Sequence, residues 1–230
     1  MTDIQDRLQE LFPIHYRSGN ILLLNGDCME VMKHISYKHY ELACVDPPYG
    51  RDINTYREQS KHKGLGIKKQ WDLKWNKKPD TYYFQELARV SEHQIIWGGN
   101  YFDLPVHEGW IVWDKVNGDT NFADCELAWT SFERAVRQFT FMWNGFIQGD
   151  MKNKEHRIHP TQKPVKLYEW LLTNYAKQGD KILDTHGGSF SLAIACYNLD
   201  FSFTGIELDE SYHQAAVQRF NEHIKQQRLY

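Results

Sequence analysis

Asp46-Pro47-Pro48-Tyr49 brings together a carboxylate, two rigid residues and an aromatic ring. Pro47 and Pro48 have fixed φ and no N–H, so they hold a loop in one shape and leave carbonyls free to accept hydrogen bonds. A short apolar run, Leu42-Ala43-Cys44-Val45, precedes the group and Gly50 follows it. That pattern predicts a buried strand with the four residues at its carboxyl end, where open α/β sheets place their sites. Taken alone, the tetrapeptide reads equally well as a Pro-rich turn capped by an Asp.

A second group lies near the other end of the chain. Lys181-Ile182-Leu183 reads as a strand ending at Asp184, and Thr185-His186-Gly187-Gly188-Ser189 as a tight loop. A helix is predicted from about Phe190 to Tyr197, then a strand over Phe201 to Ile206 that ends at Glu207. Strand, glycine loop, helix, strand and acid form a nucleoside-binding arrangement, with the acid about 20 residues beyond the loop where ribose hydroxyls are held. The loop lacks GxGxxG, so a pyrophosphate cradle is poorly supported. A ligand with a ribose and no phosphates fits better, and S-adenosylmethionine is such a ligand.

Residues 51–80 have a different character. Lys and Arg stand at 51, 57, 61, 63, 68, 69, 74, 77 and 78, acids only at 52, 58, 72 and 80, with Tyr56, Trp71 and Trp75 between them. This reads as a mobile basic loop that binds phosphates and offers stacking rings. The four cysteines, 28, 44, 125 and 196, form no CxxC pair, so neither a zinc site nor a disulfide framework is indicated. His34, His39, His156 and His159 come with no matching Cys or carboxylate set, and no metal is expected.

The elements that must carry these groups follow from periodicity. A short helix is predicted over Asp3–Leu11, within a weakly patterned stretch 1–19, and a strand over Asn20–Leu24 that leads to Asp27. Met29, Met32 and Ile35 continue at helical spacing to the strand at 42–45. A helix over Thr81–Val90 has Tyr82, Phe84, Leu87 and Val90 as its expected inner face. Strands follow at Gln94–Trp97, Trp110–Trp113 and Asp124–Thr130, then strand-like alternation over Arg134–Ile147 and a loop over Met151–His156. His159-Pro160-Thr161-Gln162-Lys163-Pro164 leads into a helix carrying Val165, Tyr168, Leu171, Leu172 and Tyr175, and a last helix spans about Glu210–Lys225. The order predicts a single α/β domain over residues 1–230, a doubly wound and mostly parallel sheet of Rossmann-like type. The net charge of −3 does not advertise a nucleic-acid binder. There is no signal-peptide pattern and no apolar run near 18 residues, so a cytoplasmic chain with no membrane association is expected.

Taken together, the tetrapeptide, the hexapeptide and the glycine loop, in this order, resemble the DNA amino-methyltransferases of the permuted beta class, in which the catalytic motif comes first and the cofactor loop last. The resemblance spans roughly residues 20–50 and 81–220. Gln94–Phe102 and Gly109–Lys115 look like segments of phage-type adenine methylases. The resemblance implies a methyltransferase that takes its methyl group from S-adenosylmethionine, without a metal, and acts on a base flipped from double-stranded DNA. Asp46 and the Pro47 carbonyl would grip the exocyclic amine, with Pro48 shaping the loop and Tyr49 stacking on the base. Asp27 would lie near the cofactor adenine and Thr161 and Lys163 near its methionine end. Asp184, His186, Gly187, Gly188 and Ser189 would form the cofactor loop, with Asp46 and Pro47 beside it, and Glu207 would bind the ribose.

The family loop usually reads Asp-Pro-Phe-x-Gly-Ser-Gly, so Thr185, His186 and Phe190 depart from it. Arg51, Lys68, Lys69, Lys77 and Lys78 are expected on DNA phosphates, and Arg134 and Arg137 in a small target-recognition insertion at about 131–156. That insertion is short, so either the target site is short or a second subunit, as in a homodimer, shares the work. A prokaryotic cell or a phage-infected host, and a place in DNA restriction-modification, are the implied setting. Asp at the first motif position resembles N6-adenine enzymes, since N4-cytosine enzymes more often carry Ser. The alternatives are N4-cytosine methylation, methylation of RNA or of a protein glutamine amide, and a DNA-binding relative with impaired catalysis.

Overall fold

The structure, a computed structural model, describes residues 3–50, 76–118, 123–144 and 147–227. Most of the basic stretch expected over 51–80, including Arg51, Lys68 and Lys69, therefore lies outside the described residues. The helices are α1 (Ile4–Leu11), α2 (Cys28–Met32), α3 (Thr81–Val90), α4 (Val165–Tyr175), α5 (Ser191–Asn198) and α6 (Glu210–Gln227). The strands are β1 (His15–Ser18), β2 (Ile21–Asn25), β3 (Tyr40–Val45), β4 (Ser91–Trp97), β5 (Trp110–Asp114), β6 (Cys125–Thr130), β7 (Arg137–Thr140), β8 (Trp143–Asn144), β9 (Ile147–Gln148), β10 (Lys181–Asp184) and β11 (Ser202–Glu207).

Nine strands form one sheet in the order β1-β2-β11-β10-β3-β4-β6-β5-β7. From β2 to β4 every neighbouring pair is parallel. Antiparallel pairs flank that block, β1 on β2 at one side and β6 on β4 and β5 at the other. The sheet is thus mixed and mostly parallel, as the order of elements predicts.

The central strands are apolar on both faces, which is what a parallel sheet covered by helices on both sides requires. Ile21, Leu23, Leu42, Cys44 and Ile182 point to one core with α4, α5 and α6. Leu22, Leu24, Ala43, Val45 and Leu183 point to the other with α1, α2 and α3. Each fully buried Leu or Ile contributes about 1.5–3 kcal/mol. The crossover from β3 runs to β4 on one side and the crossover from β10 runs to β11 on the other, so the chain changes winding direction between β3 and β10. A crevice opens at such a point, beyond the carboxyl ends of the strands.

Several elements differ from the sequence reading. β1 is an additional edge strand within the stretch read as weakly patterned; all four of its residues are half-buried, so no apolar alternation marks it. In α3 the inner position belongs to Tyr83, 3% exposed, whereas Tyr82 is 55% exposed. The Asp80 carboxylate caps α3 by accepting from the Tyr83 N–H, which sets the phase of the helix. α2 stops at Met32, and His34 and Ile35 follow in a tight turn. β4 begins at Ser91 rather than Gln94. The alternation over 134–147 resolves into β7 on the main sheet and a β8–β9 pair. Among the described residues no helix is long and apolar enough to cross a membrane.

Candidate active site

The register of β3 on β10, Ile182 beside Leu42 and Leu183 beside Ala43, brings the tetrapeptide and the glycine loop out side by side. Asp46 is held on both oxygens. Tyr49 donates its hydroxyl to Oδ1 at 2.7 Å, and the Lys163 ammonium donates to Oδ2 at 2.5 Å. Burial and the Asp46 charge drive the Tyr49 hydroxyl well above its ordinary pKa, so it stays a donor. Its ring stacks on Tyr101 at 4.8 Å and 30° and meets Phe102 edge-on at 6.0 Å. Gly98, with φ +67°, lies directly beneath that ring: a Cβ there would come within 2.2 Å of it.

The hexapeptide touches both neighbouring loops. Lys163 reaches Asp46, and the His159 ring packs over Gly188 and against Tyr212, 4.5 Å between centroids. The Thr161 hydroxyl lies 3.1 Å from His159 Nδ1. Burial, and then the nearby Lys163 charge, press the pKa of His159 down to about 3, so the ring is neutral. Pro164 stands at the helix start with φ −70°, where its missing N–H costs nothing.

Lys163 is also 3.2 Å from Glu126 Oε2, and Lys115 pairs with Glu126 Oε1. The two ammonium groups hold Glu126 down at about 2 against the cost of its burial. The Trp97 ring lies 5.3 Å from Lys163 and the Trp113 ring 4.9 Å from Lys115. Glu126, Lys115 and Tyr101 were not singled out from the sequence. The available signal was Glu126 itself, a carboxylate within a strand whose other residues are mostly apolar.

In the glycine loop, Asp184 Oδ1 accepts from the His186 N–H at 3.0 Å. Burial raises the Asp184 carboxyl to about 8, with the charges of Asp46 and Glu207 adding to the effect. The Gly188 N–H donates to Glu207 Oε2 at 2.8 Å and the Asp209 N–H to Oε1 at 2.9 Å, which fixes the Glu207 carboxylate at the end of β11. Ser189 is buried, its hydroxyl 3.1 Å from that of Ser191. The Tyr83 hydroxyl lies 2.6 Å from Thr185 Oγ1, which lies 3.0 Å from His186 Nδ1, and burial lowers the pKa of His186 to about 4. Thr185 and His186, where the resembled family carries Pro and Phe, thus form a neutral hydrogen-bonded cluster with α3.

Phe190 explains the third departure. Its φ is +50°, a conformation glycine adopts freely, and its ring is fully buried. The ring fits because Gly187 and Gly205 have no side chains: a Cβ on them would approach it to 2.0 and 2.8 Å. Asp27 caps α2 by accepting from the Met29 N–H at 2.7 Å, and Asn25 beside it is paired with Glu207.

Of the residues expected on DNA, Lys77 and Lys78 immediately precede α3. Lys78 lies beside Gly50, its ammonium 5.7 Å from the Phe102 ring. Arg137 is exposed on β7. Arg134 donates to the Asn174 carbonyl at 2.6 Å and lies 5.1 Å over the Tyr175 ring, so it is tied to α4.

The donor set defines what fits the crevice. The charges of Asp46 and Glu207 both act on Asp184, while Arg219 is engaged by the Ser189 carbonyl and Glu155. With its N–H groups at Gly188 and Asp209 already given to Glu207, the loop offers mainly oxygen acceptors, which suit a ligand rich in hydroxyls and do not suit a phosphate. Among the described residues no group of three or more His, Cys, Asp or Glu could hold a metal ion.

A family model for N6/N4 DNA methylases, described as DNA methylase, matches residues 68–218. The Type II methyltransferase M.HpaI of Haemophilus parainfluenzae is 24% identical over 243 residues, which cover 86% of this chain and 74% of that protein. The Type II methyltransferase M2.MboI of Moraxella bovis is 24% identical over 247 residues, 88% of each. Among solved structures, the M1.HpyAVI–SAM complex superposes with a TM-score of 0.54 at 20% identity, over 86% of this chain and 99% of that one. The cytosine-N4-specific PvuII DNA methyltransferase does so with a TM-score of 0.56 at 15% identity, over 89% and 88%. These structural likenesses establish the fold.

Proposed function

The chain belongs to the N6/N4 DNA methylase family and is therefore a DNA amino-methyltransferase; we propose that its acceptor is the N6 amine of an adenine flipped from double-stranded DNA. The observation that carries this reading is the juxtaposition of Asp46-Pro47-Pro48-Tyr49 and the glycine loop at the adjacent ends of β3 and β10. Asp46, rather than a Ser, at the first position of the tetrapeptide favours adenine over cytosine. The methyl donor we assign is S-adenosylmethionine, which supplies an electrophilic methyl group on a sulfonium. Glu207 is fixed to accept from ribose hydroxyls, and Gly187 and Gly188 let backbone approach a ligand closely. Asp184, His186 and Ser189 complete that loop, with Asp27 and Thr161 at its borders.

Asp46 and the Pro47 carbonyl act on the acceptor. An aromatic amine is a weak nucleophile because its lone pair is delocalised into the ring. Two acceptors on its hydrogens favour the localised form, and the Asp46 carboxylate can take the proton the amine gives up. Pro47 and Pro48 keep those acceptors in place, and Tyr49 offers a ring to the base. Catalysis then rests on position and electrostatics. Lys77, Lys78 and Arg137, with Arg51, Lys68 and Lys69, are assigned to DNA phosphates; Arg134 acts through its hold on α4.

Incubating the chain with unmethylated DNA and methyl-labelled S-adenosylmethionine, then separating the nucleosides, tests the assignment. Labelled N6-methyladenine is expected. Labelled N4-methylcytosine would overturn the adenine assignment, and no label in DNA would overturn the activity. A second reading, a DNA-binding relative with impaired catalysis, draws on the replaced residues Thr185, His186 and Phe190. Calorimetric titration separates the two, since that relative would not bind S-adenosylmethionine at millimolar concentration.

A further inference from the structure

We propose that Glu126 is a positioning residue: it receives the Lys163 ammonium when a target amine takes the place of that ammonium on Asp46. This rests on the amino-methyltransferase reading and assigns the site a resting state. Each Asp46 oxygen already accepts one donor, Oδ1 from the Tyr49 hydroxyl and Oδ2 from Lys163, so an incoming amine competes with these donors for Asp46. A buried ammonium cannot be left without a counter-charge. Glu126 Oε2 provides one: it is buried, lies 3.2 Å from Lys163 and has no hydrogen-bond partner. A small swing of Nζ converts that contact into a hydrogen bond.

The surroundings suit the exchange. The Trp97 ring lies 5.3 Å from Lys163, a surface along which an ammonium can shift without losing its favourable contact. Lys115 anchors the other Glu126 oxygen, so the carboxylate stays in place as Lys163 moves. Two ammonium groups and two carboxylates keep the set neutral in either arrangement. Glu126 comes from β6, Asp46 from the loop after β3, and Lys163 from the segment before α4. Cys44 on β3, Asp184 on β10 and His159 beside the hexapeptide loop also face the Lys163 charge. A carboxylate on a half-buried strand next to the reacting groups is otherwise an expensive choice.

The test compares single-turnover methyl transfer to unmethylated DNA across a pH series for the full chain, Glu126→Gln, Glu126→Asp and Lys115→Gln. Calorimetry on S-adenosylmethionine and a DNA-binding assay accompany it. Glu126→Gln is expected to lose on the order of 10- to 100-fold in rate, with both affinities within about three-fold. Its alkaline limb should move to lower pH, because Lys163 keeps only one of its two counter-charges. Glu126→Asp should recover most of the rate. Lys115→Gln should move the alkaline limb the opposite way, and it carries the same measurement if Glu126→Gln does not fold. Glu126→Gln with a normal rate, or with a rate lost in step with cofactor affinity and an unmoved alkaline limb, would overturn the proposal and leave the methyltransferase reading intact. No transfer by the unaltered chain would overturn both.

Discussion

Three titrating side chains of the crevice make its stability depend on pH in opposite directions. The Asp184 carboxyl is raised to about 8, so between the ordinary carboxylate range and pH 8 the folded chain holds a proton that the unfolded chain releases. Its contribution is therefore complete at acid pH and is lost as pH rises through about 8. His186 and His159 are lowered to about 4 and about 3, so their contributions are complete above the ordinary histidine range and are lost as pH falls through those values. Together these groups place a stability maximum near pH 6.5. Asp184→Asn keeps an acceptor for the His186 N–H and removes the titrating proton. Melting curves from pH 6 to 8 should show the unaltered chain losing roughly 1 kcal/mol per pH unit relative to this variant; parallel curves would refute a protonated Asp184. Asp46→Ala is a different kind of test, because Glu126 remains beside Lys163. Transfer should fall by at least about 10³-fold, in the range expected for loss of a group that acts on the reacting atoms. Cofactor and DNA affinities, read by calorimetry and filter binding, should stay within a few-fold, and near-normal turnover would sink the assigned role.

Among the elements, the turn after β4 shows how a loop far from the tetrapeptide in sequence constrains it. Gly98→Ala should cost about 1 kcal/mol from the left-handed backbone and push the Tyr49 ring aside, so that transfer falls by far more than the melting temperature suggests. A Gly98→Ala chain with full activity would show that Tyr49 is not held by this contact. The strands β2, β3, β10 and β11 and the helices α3, α4 and α6 were legible in the sequence because each buries a long apolar run or a helical stripe. The Asp46 loop, the hexapeptide and the glycine loop were legible because their residue types are unusual at that spacing. The rest depended on tertiary context. β1 is legible only from its pairing with β2, and Tyr83 turns inward because Asp80 caps α3 where it does. Phe190 looked like a loss of a required glycine, yet two glycines elsewhere make room for it. Glu126 acquires its place only when β6 folds against the Lys163 segment, some 37 residues away in the chain.

At the scale of the whole molecule, the order of strands divides the work. The half of the sheet leading from β3 to β4 presents the loop assigned to the base, and the half leading from β10 to β11 presents the loop assigned to the methyl donor. The hexapeptide ties them together through Asp46 and Gly188. Lys77 and Lys78 precede α3, with Lys78 beside Gly50, so the phosphate contact assigned to them would extend the crevice. Neutralising Lys77 and Lys78 together with Lys68 and Lys69 should reduce the slope of log affinity against log salt by about 3–4. Arg134→Ala should instead lower the melting temperature and leave that slope unchanged. Measured slopes that rank the other way would overturn this division.

The stack of Tyr101 on Tyr49 has a consequence for competition inside a cell. With its own ring covering Tyr49, the protein does not present an open slot to free bases and nucleosides, which are abundant relative to any DNA site. A lone adenosine gains one ring of stacking by entering and gives up the same amount by expelling Tyr101. A base carried by a duplex arrives with the binding free energy of its phosphates behind it. Free adenosine is accordingly expected to leave methyl transfer unaffected at concentrations where it would fill an open aromatic slot, and Tyr101→Ala is expected to make the enzyme sensitive to it. On the role assigned to Tyr49, the Tyr101 ring would act as a built-in competitor that duplex DNA displaces and free nucleosides do not.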